Sequence, residues 1–166
     1  MARAKKSGTA SGATPAVVAL TRAGIGFTVH PYEHRDDARG YGNEAADELG
    51  VDRRRIFKTL VAEVDRNLAV AVVPVADQLD LRALARACGA KKATMADPQA
   101  ATRSSGYVLG GISPIGQRTR LPTVIDSSSR EFATIFVSAG RRGLQVELSP
   151  ADLAAVTGAV VAPIAS

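Results

Sequence analysis

The chain has 166 residues and a mass of 17.2 kDa, and 46% of its residues are hydrophobic, which indicates one compact domain rather than a disordered or multidomain protein. The longest apolar run, from Leu68 to Val73, is far shorter than the roughly 20 residues that span a bilayer, so we do not expect the chain to be a membrane protein. A net charge of +5 favours polyanionic partners. Because Cys88 is the single cysteine and no apolar segment follows Met1, we expect a cytoplasmic protein.

Capping residues and hydrophobic periodicity divide the chain into short helices and strands. Thr14-Pro15 and Ser149-Pro150 each combine an N-cap with proline at the first helical position. β-Branched runs on both sides of Asp65-Arg66-Asn67 predict a β-hairpin. In chain order, the predicted elements are a helix over 15–23, a strand near 27–31, a helix from 42 or 43 to 50, strands over 56–64 and 68–74, a helix over 80–88, a helix starting at 97–98, strands over 121–126, 131–138 and 144–149, and a helix from 149 to 158.

These elements predict the fold class. Helices and strands interleave without regular βαβ spacing, and several neighbouring strands are joined by hairpins, which force antiparallel pairing. We therefore expect a single α+β domain over 14–166 with a mixed, strongly curved, barrel-like sheet and several flanking short helices. Residues 1–13 are small and basic, so we interpret them as a flexible leader outside the fold.

The sequence offers little support for a metal or a nucleotide cofactor. His30 and His34 could share a helix face, but Pro31 between them disfavours that helix, and no third histidine is present. Cys88 ends an apolar helix, where cysteine is usually a small core residue. Gly24-Ile25-Gly26 follows a helix rather than a strand, so it does not fit a dinucleotide-binding turn. We expect neither metal nor cofactor.

Lys58 is the most informative charged residue. On a strand it shares a face with Ile56, Leu60, Ala62 and Val64, so a lysine interrupts an apolar row. One interpretation is structural, because the ammonium can reach solvent at the strand end or pair with a carboxylate. The other is functional, an anion-binding lysine that holds a phosphate or a developing oxyanion.

Two further features leave a structural and a functional interpretation open. The segment Gly110 to Gly116 contains three glycines and a proline, which suits either an ordinary turn or a backbone that presents amides to a ligand. Ser138 ends a strand, where it is either a polar ligand contact or a strand terminus. Four basic groups are either solvated surface or, if the fold gathers them, a phosphate-binding face: Arg53-Arg54-Arg55, Lys91-Lys92, Arg118 with Arg120, and Arg141-Arg142.

Ordered motifs from about Thr14 to Ile164 resemble a known family. They are TPAVVAL, HPYEH, FKTL at 57–60, AVAVVPVADQLDL, GAKKATMADP, RSSGYVLGGISPIGQ, LPTVID and EFATIFVSAGRRGL. Together they are similar to the YbaK/EbsC family, in particular to its Cys-tRNA(Pro) deacylase branch. That family is related to the editing domain inserted in bacterial prolyl-tRNA synthetases.

The resemblance implies a YbaK-like fold and an enzyme that removes cysteine from mischarged Cys-tRNA(Pro), with prolyl-tRNA synthetase as a partner. It implies that Lys58 engages the phosphate of the terminal adenosine. It also implies that the GxxxP loop, Gly110 to Pro114, holds the aminoacyl group through its backbone amides. Within this loop the resemblance assigns catalytic amides to Gly110 and Gly111 and substrate contacts to Ile112, Ser113 and Pro114. Further pocket positions are Tyr32, Tyr41, Thr59 and Ser138, and Tyr41 replaces a common phenylalanine.

The implied chemistry needs no metal, cofactor or protein nucleophile. An aminoacyl ester is already activated, so positioning and oxyanion stabilisation suffice. In the family mechanism the thiol of the substrate attacks its own ester carbonyl and forms a cyclic thiolactone. Two alternatives stay open: a deacylase for other small aminoacyl-tRNAs such as Ala-tRNA(Pro), and a module that binds tRNA or nucleotides without turnover.

Overall fold

The computed structural model of the protein describes residues 13–35 and 41–166. The predicted leader, 1–13, lies outside this range apart from its last residue. The helices of the described part are α1 (Pro15–Arg22), α2 (Tyr41–Leu49), α3 (Leu81–Ala87), α4 (Pro98–Ser105) and α5 (Pro150–Thr157). Its strands are β1 (Thr28–Pro31), β2 (Phe57–Val64), β3 (Asn67–Pro74), β4 (Ala93–Met95), β5 (Thr123–Asp126), β6 (Ile135–Arg141), β7 (Leu144–Leu148) and β8 (Val160–Ala162).

The helices begin where their capping residues predict. The Thr14 hydroxyl accepts a hydrogen bond from the Val17 amide at 3.2 Å, and the Ser149 hydroxyl accepts from the Asp152 amide at 3.1 Å. Helix α5 ends at Gly158, whose φ of 67° lies in the left-handed region that favours glycine. No helix in the described ranges has the length and apolar character needed to cross a membrane.

The α+β class is confirmed, but the strands form two open sheets instead of one barrel-like sheet. Strands β1, β7 and β6 form an antiparallel sheet in the order β1-β7-β6. The other sheet has the order β4-β2-β3-β5-β8, in which β3–β5 and β5–β8 are parallel pairs. The separation arises after β5, because Asp126 caps a 3₁₀ turn over Ser127–Glu131 and the chain leaves the sheet before β6 begins. The predicted strand over 131–138 therefore starts later, at Ile135.

The two sheets meet at the beginning of β2. Ile56 forms an isolated parallel bridge with Phe136 of β6, and the Phe136 amide donates to the Arg55 carbonyl at 2.9 Å. Strand β3 extends from this junction into the core, where Val72 packs in the main cluster and Val73 in a second cluster on the opposite face. The β2–β3 hairpin is thus buried on both faces and fixes the junction.

Alternation along β7 exposes a polar face to this junction. Leu144, Val146 and Leu148 are buried in the main core. Gln145 and Glu147 therefore lie on the opposite face, because successive side chains of a strand point to opposite sides. In the sequence LQVEL the apolar residues anchor the strand in the core, while the polar residues face the junction of the two sheets.

Candidate active site

A cavity of about 500 Å³ lies where the two sheets, the start of α2 and the 106–122 loop come together. Its wall is mainly apolar and contains a few polar groups, as is typical of ligand sites. The lining residues are Tyr32, Gly42, Asn43, Ile56, Phe57, Lys58, Thr59, Leu60, Val75, Leu109, Gly110, Ile112, Ser138 and Gln145.

Lys58 supplies the positive charge of the cavity. Its side chain is half-buried near the start of β2, and none of the ion pairs among the described residues includes its Nζ. Burial lowers the pKa of Lys58, and the more distant charge of Asp77 partly opposes this shift. The structure therefore does not show the carboxylate pair of the structural interpretation, and it places the lysine in a cavity wall.

Two polar atoms at the cavity have no partner. Thr59 Oγ1 and Gln145 Oε1 are buried, and neither forms a hydrogen bond with any described residue. Buried polar atoms are nearly always hydrogen-bonded in native proteins, because an unpaired one costs free energy. Both residues line the cavity, so a turn of either side chain would present its enclosed oxygen to a ligand there.

Ser138 and Tyr32 add hydroxyl groups to the same wall. Ser138 Oγ accepts from the Gly140 amide at 3.1 Å, which leaves the hydroxyl proton of Ser138 available for a ligand. Burial raises the pKa of Tyr32, so its hydroxyl stays protonated at neutral pH. Residue Tyr41 is the first of α2, and its side chain lies outside the described part of the structure.

The 106–122 loop contributes only part of the GxxxP segment to the cavity. Gly110 and Ile112 line it, whereas Gly111, Ser113 and Pro114 are absent from the described lining. The Gly111 amide donates to the Val108 carbonyl at 3.0 Å, so it stabilises the loop in this conformation.

The remaining residues of the segment do not line this cavity. Ser113 is fully buried, and its Oγ accepts from the Ile115 amide at 3.2 Å. Pro114 lines a second cavity of about 260 Å³ on another side of the loop. The hydroxyl of Tyr107 donates to the Ile115 carbonyl at 2.7 Å, which links the residues on the two sides of the GxxxP segment. Internal hydrogen bonds therefore hold the loop in a folded conformation, and part of it forms a wall of the cavity.

A histidine–glutamate pair attaches the segment after β1 to α2. His34 Nδ1 lies 2.9 Å from Glu44 Oε1, and the Arg35 amide donates to Glu44 Oε2 at 2.6 Å. Burial acts to raise the pKa of Glu44, but these two hydrogen bonds outweigh it and hold the pKa below its usual range. The pair fixes Tyr32, two residues before His34, beside the first turn of α2.

Neither histidine belongs to a metal site in the described residues. His30 Nε2 lies 2.8 Å from Glu147 Oε1, on the polar face of the three-stranded sheet. No three His, Cys, Asp or Glu side chains within 13–35 and 41–166 are grouped as metal ligands. Both histidines instead have carboxylate partners.

The basic groups converge only in part. Arg141 packs directly against Gly111, and Arg142 Nε donates to the Leu109 carbonyl at 2.9 Å, so this pair lies beside the cavity. Lys91-Lys92 instead contacts Asp65 at the far end of the β2–β3 hairpin. Seven residues separate Asp65 from Lys58, which corresponds to about 23 Å along a strand. The Lys91-Lys92 pair is therefore remote from the cavity.

The sequence analysis did not identify several lining residues. Gln145, Asn43 and Leu109 are the clearest cases. Gln145 pairs with Ser138 across the β6–β7 hairpin, so the register of that hairpin would have revealed it. The predicted turn over 139–143 hides this pairing, because such a turn places Ser138 opposite Leu144.

Comparisons with known proteins agree with this geometry. The model of the aminoacyl-tRNA editing domain family matches residues 37–156. EbsC of Enterococcus faecalis, inferred to be a Cys-tRNA(Pro)/Cys-tRNA(Cys) deacylase, is 40% identical over 120 residues, which cover 72% of this chain and 73% of EbsC. The proline–tRNA ligase of Shouchella clausii is 32% identical over 101 residues, which are 61% of this chain and 18% of the ligase. A solved structure described as an inferred trans-editing enzyme for prolyl tRNA synthetase superposes with a TM-score of 0.81 and 25% identity, covering 92% of this chain and 95% of that chain.

Proposed function

Because the chain belongs to the aminoacyl-tRNA editing domain family, we propose that it removes cysteine from mischarged Cys-tRNA(Pro). The observation that carries this proposal is the cavity, which contains the Gly110 backbone, Lys58 and the oxygens of Thr59 and Gln145, the last three without partners among the described residues. A cationic group beside unpaired polar atoms suits the end of an aminoacyl-tRNA, which combines a phosphodiester with an ester and an ammonium group.

Lys58 has the central role in the proposed complex. Its ammonium binds the phosphate of the terminal adenosine, which places the ester carbonyl against the Gly110 wall. The Gly110 amide donates to no acceptor among the described residues, so it is available to the carbonyl oxygen. As the carbonyl carbon becomes tetrahedral, negative charge develops on this oxygen, and a fixed amide stabilises it.

The nucleophile in this proposal is the substrate's own thiol. Among the described residues, no histidine, cysteine or carboxylate lines the cavity to act as a nucleophile or to activate the hydroxyl of Thr59 or Ser138. The cysteinyl sulfur attacks the ester carbonyl, the bond from this carbon to the ribose oxygen breaks, and that oxygen takes the thiol proton. Water then opens the resulting thiolactone and releases free cysteine. Selection by reactivity discriminates against amino acids that lack a thiol.

We further propose that prolyl-tRNA synthetase presents the tRNA and that the reaction occurs in the cytoplasm. The sequence identity with part of the proline–tRNA ligase and the structural similarity to a trans-editing enzyme for prolyl tRNA synthetase support the first point. The single cysteine suits a reducing compartment and supports the second.

The test is release of amino acid from Cys-tRNA(Pro), Ala-tRNA(Pro) and Cys-tRNA(Cys), each with and without prolyl-tRNA synthetase. We expect rapid loss from both cysteinyl esters and little from the alanyl ester. Equal rates on the alanyl ester would replace the thiol mechanism with one that uses water or a protein nucleophile. Retained tRNA binding with no release from any ester would identify a binding module instead.

We expect the activity to survive both chelation and loss of the cysteine thiol. Cys88 is not a lining residue, and burial raises the pKa of its thiol, which disfavours the nucleophilic thiolate. Rates of Cys-tRNA(Pro) deacylation should therefore stay within about twofold after EDTA treatment and in Cys88→Ser, since serine is close to cysteine in size and the residue lies outside the cavity. A loss restored by added metal would overturn the metal-free proposal.

A further inference from the structure

Gln145 is a buried amide whose carbonyl oxygen has no partner. The residue is only 6% exposed, lies in β7 and lines the cavity. Its Oε1 forms no hydrogen bond within the described part of the chain. Cross-strand pairing places it opposite Ser138 on one side and His30 on the other, so its position is fixed by two neighbouring strands.

The Gln145 side chain interacts with the Tyr32 hydroxyl, which accounts for a polar amide at this position but leaves its oxygen unpaired. An unpaired buried acceptor costs free energy, and an apolar side chain of the same shape would avoid this cost. Such groups in native proteins therefore often mark places where a ligand completes the hydrogen bonding. The oxygen of Gln145 is enclosed in the cavity wall, and a turn of the amide would bring it to a donor in the cavity that the residue lines.

The aminoacyl end of tRNA offers four kinds of donor: the α-ammonium group, a ribose hydroxyl, the adenine amino group and the cysteinyl thiol. The ammonium carries a charge, so its burial costs most unless oxygen acceptors surround it. No carboxylate within 13–35 and 41–166 lines the cavity, and the unpaired acceptors of these ranges are the neutral oxygens of Thr59 and Gln145.

From this geometry, and resting on the proposed function, we infer that Gln145 Oε1 accepts a hydrogen bond from the α-ammonium group of the aminoacyl ester. A neutral acceptor has an advantage over a carboxylate in this cavity. A carboxylate would pair with Lys58 and reduce the positive charge that binds phosphate, whereas an amide binds the ammonium without this competition. Gln145 thereby restricts the site to esters with a free amino group.

The experiment compares Gln145→Met with the wild type on two esters of the same tRNA(Pro). One carries cysteine, and the other carries 3-mercaptopropionate, which keeps the ester and thiol but lacks the amino group. Methionine preserves the length of the side chain and removes the acceptor. We expect kcat/KM for the cysteinyl ester to fall about 10- to 100-fold, as for loss of a hydrogen bond to a charged group. The rate for the mercaptopropionyl ester should change less than about threefold. This ester has no amino group, so it cannot lose a hydrogen bond to Gln145.

Thermal stability separates binding from a structural role. Gln145→Met removes the unpaired acceptor together with the amide contact to Tyr32, so its Tm should stay close to that of the wild type. Gln99→Met is the matched control, because Gln99 is exposed on α4 and is not a lining residue; both esters should react normally.

Three outcomes overturn the inference. Equal losses of kcat/KM on both esters at unchanged Tm would mean that Gln145 binds the ribose or the base instead of the ammonium group. Losses together with a lower Tm would make Gln145 a structural residue. If the wild type released neither acyl group, the proposed function itself would fail, and that result differs from both of the others.

Discussion

Replacement of Lys58 by alanine is expected to lower kcat/KM for Cys-tRNA(Pro) deacylation by about 10²- to 10³-fold, the range found when one preorganised electrostatic contact is removed from an active site. The lysine is the one basic side chain that lines the cavity among the described residues. Its half-buried ammonium has no ion-pair partner there, so alanine removes no salt bridge from the folded state. Activity should therefore collapse without loss of the fold. Single-turnover rates of cysteine release and the Tm measure the two effects separately.

Lys91→Ala is the matched control for this prediction. Lys91 is exposed, and its backbone amide contacts Asp65 at the opposite end of the hairpin. Both rate and Tm should stay close to those of the wild type, although overall tRNA affinity at low salt can decrease slightly with the lost charge. A folded Lys58→Ala protein with normal turnover would remove this lysine from the mechanism. An equal loss in Lys91→Ala would show that total charge, rather than the cavity, governs the activity.

Local chemistry in the sequence predicted most elements of the fold. Thr14, Asp80, Asp97 and Ser149 each cap a helix through a side-chain oxygen, and such signals are visible within three or four residues. The β2–β3 hairpin was equally clear from its apolar strands. Strands β4 and β8 were missed because each has only three residues, and their pairing with β2 and β5 depends on distant segments.

The sequence analysis expected one sheet and missed the division of the strands into two sheets for a similar reason. The run EFAT has the composition of a strand, but the Asp126 cap turns the preceding residues into a 3₁₀ helix. This cap also accepts hydrogen bonds from the Ile164 and Ala165 amides at 2.8 and 2.9 Å, contacts formed across 38 and 39 residues. Tertiary hydrogen bonding therefore overrides local β propensity at this point.

The candidate site was predicted unevenly. Lys58 interrupts an apolar row, a periodic signal that indicated its environment before the fold was known. The 110–116 segment has no period, so composition could not show that Ser113 turns inward while Gly110 faces the cavity. Gln145 depended on the exact hairpin register, which shifts at the irregularity between Ser138 and Arg141.

Gly111 is expected to be essential for the shape of the cavity even though it does not line it. A Cβ at this position would lie 2.7 Å from the Arg141 Cα and 3.0 Å from the Arg142 nitrogen, both backbone atoms of the β6–β7 hairpin. Gly111→Ala must therefore displace the loop from the hairpin and move Gly110 and Ile112 with it. We expect kcat/KM to fall about 100-fold, as for misplacement of a catalytic group by about 1 Å. The free energy of unfolding should decrease by about 1–3 kcal/mol, the usual cost of overpacking.

Gly26→Ala distinguishes this steric effect from the general consequences of replacing glycine. A Cβ at Gly26 would meet no atom within 4 Å, and its backbone φ lies outside the left-handed region, as does that of Gly111. Rates and unfolding free energy should therefore remain near those of the wild type. Rates must be measured well below the Tm of Gly111→Ala, so that lost activity reports the folded cavity rather than unfolded protein. Normal turnover by this variant would mean that the loop can leave the hairpin without disturbing the Gly110 amide, and the oxyanion contact would then require a different donor.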